Sequence, residues 1–271
     1  MTATVGFSQE RLETALESTL RLGCEQTPFT VHIFNQLVST NQTLWELIDQ
    51  GAGAGTVAIA SQQTAGRGQW GRQWQSQPGG LYLSLAIEPR LPASHSAQLT
   101  LCSAWGIAAA LREWGIPVSL KWPNDLILAE RKLGGILTET RVHQGKIAKA
   151  VVGVGINWAN EVPETGINLQ SFCTEKVFPS IASLEMLAAI TLRGLASGYQ
   201  FLAEKGIAEL VPAYCALLTS LGEPVVVEGR QGVVVGVSSQ GELQVRFHAD
   251  PVGSEICLQP GTIALGYKLS V

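Results

Sequence analysis

The sequence predicts an α+β protein in which a mixed, largely antiparallel sheet is flanked by helices and followed by a small domain built only of strands. Three observations lead there. Short β-type runs succeed one another without an intervening helix from Val118 to Trp158, apolar residues recur at helical spacing on either side of that stretch, and from Leu221 to Val271 only β-type segments separated by glycine turns remain. A length of 271 residues accommodates one core plus an appended domain. The change of pattern at Ser220–Gly222 divides the chain into domains 1–220 and 221–271.

Taken in order, Ser8 caps a first helix with Leu12, Ala15, Leu16, Thr19 and Leu20 at helical spacing and Gly23 as its stop. TVHIFNQLV (30–38) is β-rich, and Ser39 or Thr40 caps a helix that turns Leu44, Leu47 and Ile48 inward and ends before Gly51. The GAGAG of 51–55 precedes the strand TVAIAS instead of following one, so it reads as a connection and not as a phosphate loop. A glycine- and glutamine-rich loop (63–80) and the strand GLYLSLAI (80–87) come next. A helix from about Ser94 to Gly115 then carries Leu99, Cys102, Trp105, Ala109 and Trp114 on a single buried face, and Pro117 ends it. VSLKW, LILA, KLGGILTET and KIAKAVVGVGINW read as an antiparallel meander, the last two joined through HQG. Helices return over 183–218, and the five β-type segments of the tail suggest a small barrel.

Composition narrows the function. A net charge of -4 and a pI near 5.6 create no general field for nucleic acid or an anionic membrane, so an anionic ligand must be held by local positive charge. Five scattered cysteines, none spaced C-x-x-C, argue against a disulfide framework and a zinc ribbon. No stretch has signal-peptide or membrane-spanning character, so a reducing cytoplasm is the expected compartment. There is no G-x-S-x-G elbow, and His32, His95, His143 and His248 are too scattered for a metal cluster.

The chemistry concentrates in three stretches. GRGQWGRQW (66–74) contains G-x-G-x-x-G, but QWQSQPGG follows where a dinucleotide-binding turn needs a helix, and Arg72-Gln73 stand where a Walker loop needs lysine and a hydroxyl. What remains is a glycine-punctuated loop with free backbone amides and the guanidinium groups of Arg67 and Arg72, suited to closing over a carboxylate or phosphate. A solvated surface loop is the plainer alternative. In KWPNDL, Lys121 adds a point charge while Asn124 and Asp125 sit at a turn, Asp125 as a metal ligand and Asn124 against a polar ligand edge; by itself, N-D after proline is also an ordinary turn signal. RKLGGILTE sets Lys132 at the mouth of a strand, with Gly134-Gly135 leaving room for a ligand.

Together these stretches resemble the biotin protein ligase family. The matching pieces are Ser39-Thr40-Asn41, QTAGRGQWGRQW from Gln63 to Trp74, KWPND from Lys121, KLGGIL from Lys132 and GVGIN from Gly153 to Asn157, in the family's order over about residues 35–160. The resemblance implies a class II synthetase-like catalytic domain with an SH3-like C-terminal barrel. It also implies a two-step reaction: biotin and Mg-ATP give biotinyl-5'-AMP, whose acyl group passes to one lysine of a biotin carboxyl carrier protein. Carried over residue by residue, it assigns Ser39, Thr40, Asn41, Gln63, Gly66, Arg67, Gly68, Gln69, Lys132 and Gly135 to biotin. Arg67, Arg72, Trp74, Lys121, Asn124, Lys132 and Asn157 go to ATP and the adenylate, with Trp74 stacking on adenine and Asn157 reading it. Arg67, Lys132, Lys121 and Asp125 are its catalytic set, and Asp125 its magnesium-linked carboxylate.

Two departures from the family pattern carry expectations. Gln69 stands where the family commonly has arginine, which implies weaker retention of the acyl-adenylate. Only some thirty residues with one clear helix precede Ser39, so no DNA-binding role is expected, while a homodimer is left open. The rival readings are a lipoate-protein ligase, whose R-R-x-S-G-G-G type of motif is absent here, a biotin or nucleotide sensor without turnover, and an adaptor acting through the β-rich tail.

Overall fold

The computed structural model describes residues 7–19, 28–176, 181–247, 254–263 and 265–266. A seven-stranded sheet has the order β1 (Thr30–Phe34), β2 (Thr56–Ala60), β3 (Leu81–Ile87), β7 (Lys146–Ile156), β6 (Arg131–His143), β5 (Asp125–Leu128) and β4 (Ser119–Lys121). Only β1 and β2 pair in parallel, so the sheet is mixed and largely antiparallel, as expected. Residues 118–156 form the predicted meander, and Gln144 and Gly145, both at positive φ, make the tight turn from β6 to β7.

Strand alternation sends successive side chains to opposite faces. Val57 and Ile59 of β2, Leu81, Leu83 and Leu85 of β3, and Val152 and Val154 of β7 enter the main core with helices α1 (Gln9–Ser18), α3 (Ser96–Glu113) and α5 (Leu184–Lys205). Ala58, Ala86 and Val151 point the other way, where Leu44 and Ile48 of α2 (Thr40–Asp49) pack on them. Helix α1 starts at Ser8, whose hydroxyl accepts from Arg11 N, and it is pinned to α5 by Arg11 and the buried Glu185, 2.9 Å apart. The expected stop at Gly23 and the packing of Leu20 lie outside the described residues.

Helix α3 departs from the expectation of one buried face. Gln98 to Ser103 are buried in an unbroken run, as are Ala104, Gly106, Ile107, Ala108, Ala110 and Leu111, while Trp105 and Ala109 are only half-buried. The helix lies between the sheet and α5, where Gly106 and Gly198 let the two backbones touch: a Cβ on Gly106 would lie 2.8 Å from Gly198 Cα. A second unpredicted feature is α4 (Leu169–Lys176), whose sequence LQSFCTEK has a weak apolar stripe. Helices α5 and α6 (Ile207–Cys215) fill the predicted 183–218 stretch.

The tail gives a four-stranded antiparallel sheet, β11 (Glu255–Leu258), β10 (Leu243–Phe247), β9 (Arg230–Val237) and β8 (Pro224–Val227). The fifth predicted segment, TIALGYKL, lies partly outside the described residues, and its described members Thr262, Ile263, Leu265 and Gly266 are not strand. This sheet is anchored to the larger one: Trp122 Nε1 donates to Gly241 O at 2.9 Å, and Gln98 Nε2 to Ser239 O at 2.9 Å. No helix among the described residues is long and apolar enough to cross a membrane.

Candidate active site

Residues directly opposite one another in an antiparallel ladder share a face of the sheet. The register therefore carries the α2 side across the molecule, through Tyr82, Ser84 and Ala86 on β3, Gly155, Gly153 and Val151 on β7, Gly135, Leu137 and Glu139 on β6, Asp125 on β5 and Lys121 on β4. Helix α2 covers the Ala86–Val151 end. The glycine end becomes the floor of a cavity of about 670 Å³, within the usual range for small-molecule sites.

These glycines clear space for specific neighbours. A Cβ on Gly153 would intrude on the Asn41 amide, 2.9 Å from its Cγ, and one on Gly155 would lie 2.5 Å from Trp74 Nε1. The Asn41 side chain is thereby held deep in a polar chain along the floor. Its Nδ2 donates to Glu139 Oε2 at 2.8 Å, and its Oδ1 accepts from Ser84 Oγ at 2.6 Å. Ser84 Oγ also lies 2.8 Å from Thr40 Oγ1, Gln63 Oε1 accepts from Thr40 N at 2.8 Å, and Gln63 Nε2 donates to Ser76 Oγ at 2.7 Å. Every member is buried or half-buried, so the chain fixes amide and hydroxyl orientations that solvent would otherwise scramble. Ser39 caps α2 from an extended backbone without a side-chain hydrogen bond, which leaves its hydroxyl out of the cap.

The other end of the cavity is cationic. Lys132 Nζ lies 2.7 Å from Asp125 Oδ1 and 5.3 Å from the centre of the Trp74 ring. Lys121 is 8% exposed, and burial holds its ammonium down at about 8, with Asp125 drawing it up and Lys132 and Arg72 pressing it lower. Asn124 Nδ2 donates to Ile136 O at 2.7 Å, so that amide also ties the β4–β5 turn to β6. Asp125 is the one carboxylate among the described residues lining this cavity, and no group of three metal-binding side chains gathers among them.

The glycine-rich loop differs from expectation in one respect: its amides are largely spent within the chain. Gln63 N donates to Ser76 O, Thr64 N and Ala65 N to Leu37 O and Val38 O, Trp74 N to Gly66 O, and Gly68 N to Arg72 O. The segment is a narrow folded-back hairpin with Gln69–Gly71 at its tip, which leaves its arginines as the anion-binding groups. Arg72 reaches the cavity, and Arg67 Nη2 lies 3.0 Å from Glu139 Oε2. At the tip Trp70 adopts φ 61°, is 63% exposed, and rests on Gly261.

The structure brings Ser39, Thr40, Asn41, Gln63, Arg67, Gly68, Gln69, Arg72, Trp74, Lys121, Asn124, Asp125, Lys132 and Gly135 to this one cavity. Gly66 and Asn157 stand behind its wall. A Cβ on Gly66 would lie 2.5 Å from both Ser76 Oγ and Trp74 O, so that glycine serves the loop's own fold. Asn157 receives Asn160 Nδ2 on its Oδ1 at 3.0 Å and its Nδ2 faces Lys132 O at 3.4 Å, so it supports the Lys132 backbone. Sequence reasoning missed Glu139, Ser84, Trp70 and the C-terminal residues Gly261, Thr262, Ile263 and Leu265, the last five of which line the cavity.

Residues 33–157 match the model of the biotin/lipoate A/B protein ligase family. The bifunctional ligase/repressor BirA of Escherichia coli is 34% identical over 79% of this chain and 68% of its own length. The chain belongs to this family. Another member, the bifunctional ligase/repressor BirA of Bacillus subtilis, is 34% identical over 59% of this chain, and the match spans about half, 53%, of that relative's length. Among solved members, the biotin protein ligase from Aquifex aeolicus in complex with biotin and ATP superposes with a TM-score of 0.70 at 28% identity, covering 88% of this chain and 99% of that one.

Proposed function

We propose that the chain is a biotin protein ligase that activates biotin with ATP to biotinyl-5'-AMP and transfers the biotinyl group to a specific lysine of the biotin carboxyl carrier protein of acetyl-CoA carboxylase. The observation that carries this reading is the convergence of Arg67, Arg72, Lys121 and Lys132, from separate stretches of chain, on one cavity beside a glycine floor. In the first step a carboxylate oxygen of biotin attacks the α-phosphorus of ATP and pyrophosphate leaves. Two anions must meet, and fixed cations in a confined site offset their repulsion without reorganising at the moment of reaction. In the second step a neutral lysine amine attacks the acyl carbon, the amide forms, and AMP departs with the bonding pair while the amine loses a proton.

Within this reading the hydrogen-bonded floor of Thr40, Asn41, Gln63 and Ser84 takes the neutral head of biotin, and the Lys121–Lys132 end takes the phosphates. Trp74 is the stacking surface for the nucleobase. A single lining carboxylate among the described residues suits magnesium arriving as the counter-ion of ATP, since that ion draws most of its ligands from phosphate and water; Asp125 is the residue that would hold it. We assign residues 1–220 to the catalytic unit and 221–271 to an accessory one, of which Gly261, Thr262, Ile263 and Leu265 line the cavity.

Purified protein incubated with Mg-ATP, a biotin carboxyl carrier domain and either biotin or lipoate tests the proposal by intact mass. Addition of one biotinyl group to a single carrier lysine is expected. Lipoyl transfer alone, or binding of biotin and ATP without transfer, would replace it with the lipoate-ligase or the sensor reading.

A further inference from the structure

Arg67 lies on a partition. It lines the main cavity and also a side cavity of about 460 Å³ bounded by Trp45, Asp49, Glu139 and Arg141, whereas Glu139 lines only the side cavity. Glu139 Oε2 is 3.0 Å from Arg67 Nη2 and 2.8 Å from Asn41 Nδ2, so one carboxylate oxygen fixes both a floor amide and a cavity cation. Both partners of the ion pair retain access to solvent, with side-chain exposures of 46% for Arg67 and 27% for Glu139. Such a pair is held only modestly and can exchange. The Asn41 bond is different: Asn41 is 3% exposed and is fixed from its other side by Ser84, so Glu139 stays in position whatever Arg67 does.

We infer that Glu139 is an affinity-setting residue: its carboxylate is a built-in competitor for the Arg67 guanidinium, and an anionic ligand in the main cavity binds against that competition. The geometry carries this directly. A guanidinium presents its donors in one planar fork, and the Nη2 N–H engaged by Glu139 is unavailable to a ligand carboxylate or phosphate until the partners exchange. Because Asn41 and Ser84 retain Glu139, the competitor remains adjacent and recaptures Arg67 when the ligand leaves. Glu139 thus weakens anion binding while keeping the arginine ordered over the cavity mouth.

The test uses the full chain and two probes, inorganic pyrophosphate and biotin, titrated by calorimetry at fixed ionic strength. Glu139→Gln keeps an acceptor for Asn41 and removes the competing charge; both probes should bind about two- to fivefold more tightly. In an Arg67→Gln background the same change should have no effect, because there is no guanidinium to compete for. Equal tightening in both backgrounds would mean that Glu139 acts only as background charge, and unchanged or weaker binding in Glu139→Gln would mean that it positions Arg67 for the ligand; either overturns the inference. Should Glu139→Gln fail to fold, Glu139→Asp withdraws the carboxylate from Arg67 and should tighten binding in the same direction, with no change overturning the inference. The inference rests on the proposed function only for the identity of the ligand. A native chain that binds pyrophosphate but not biotin would sink the functional reading and leave the exchange to be read on pyrophosphate, and one that binds neither overturns both.

Discussion

Replacing Gly153 by alanine should be among the most damaging single-methyl changes in the protein. Gly153 lies in the centre of β7, paired to Ser84 on one side and Leu137 on the other, so its backbone cannot retreat without disturbing two ladders. The added Cβ would sit 2.9 Å from Asn41 Cγ and 3.1 Å from Nδ2, and Asn41 must yield. Moving it breaks the bond from Ser84 and the charge-assisted one to Glu139, worth about 1 and about 2 kcal/mol. Overpacking costs up to about 2 kcal/mol more where the amide cannot leave cleanly, so about 3–5 kcal/mol in total is expected, or a fall in Tm of about 6–20 °C for a domain of this size. Gly53→Ala is the control, since nothing lies within 4 Å of a Cβ there and its φ is not positive. Differential scanning calorimetry reads the Tm, and biotin titration should show binding lost in parallel. Adding Asn41→Ala to Gly153→Ala should return part of the lost stability, because the methyl then fills vacated space. A Gly153→Ala protein that melts within 1 °C of the native chain, or a double variant no better than additive, would refute the reasoning.

The remaining predictions follow from charges and close contacts around the same cavity. Lys121, held at about 8, should lose its charge as pH passes that value, so affinity for pyrophosphate should fall between about pH 7 and 9 and Lys121→Met should flatten the profile in titration calorimetry. Because its folded value lies below the unfolded 10.5, the unfolded chain binds more protons from about pH 8 to 10.5; this residue's contribution to stability therefore rises with pH across that window, and urea unfolding of Lys121→Met should lack the rise. Gln69→Arg should slow dissociation of the acyl-adenylate, and an unchanged rate in a filter-retention assay would reject a role for charge at that position. Gly261 has φ +94° and would place a Cβ 3.0 Å from Trp70 Cε2, so Gly261→Val should dislodge the loop tip and speed proteolysis within residues 66–74 while leaving the Tm within a few degrees. Lys132→Met should lower kcat for adenylate formation at least about 100-fold, as loss of a positioned cation at a reacting phosphate does.

The meander was legible because the runs after Pro117 are β-type and separated by turns with no helical pattern between them, so local pattern and final pairing agree. The cavity residues were legible chiefly through the family resemblance, because taken singly the loop 66–74 and the N-D turn after Pro123 each have a plainer reading as a solvated loop and an ordinary turn. Glu139 was not legible. It stands within the run KLGGILTET with no motif to mark it, and its meaning comes from Asn41 and Arg67, which are 98 and 72 residues away. Helix α3 was misread because an apolar stripe shows which face is buried first but not that α5 crosses the opposite face through Gly106 and Gly198. The contribution of Gly261, Thr262, Ile263 and Leu265 was hidden for a related reason, since a glycine turn between two β-type segments carries no mark of the loop tip that rests on it.

The distribution of charge explains how an acidic protein can hold an anion without a general positive field. Around one end of the sheet, Arg67, Arg72, Lys121 and Lys132 face two carboxylates, Asp125 and Glu139, within a chain whose net charge is -4. Had all four cations been left to water, their mobility would have to be removed at each binding event; had all four been buried together, their repulsion would have opposed folding. Pairing Lys132 with Asp125 and Arg67 with Glu139 keeps the side chains ordered, and the local positive excess draws in an anionic ligand at short range. The exposed pair yields readily and the more enclosed one resists. On the proposed function, a polyphosphate that engages several of these cations at once gains at each, which favours a nucleotide phosphate over a ligand carrying one weak charge.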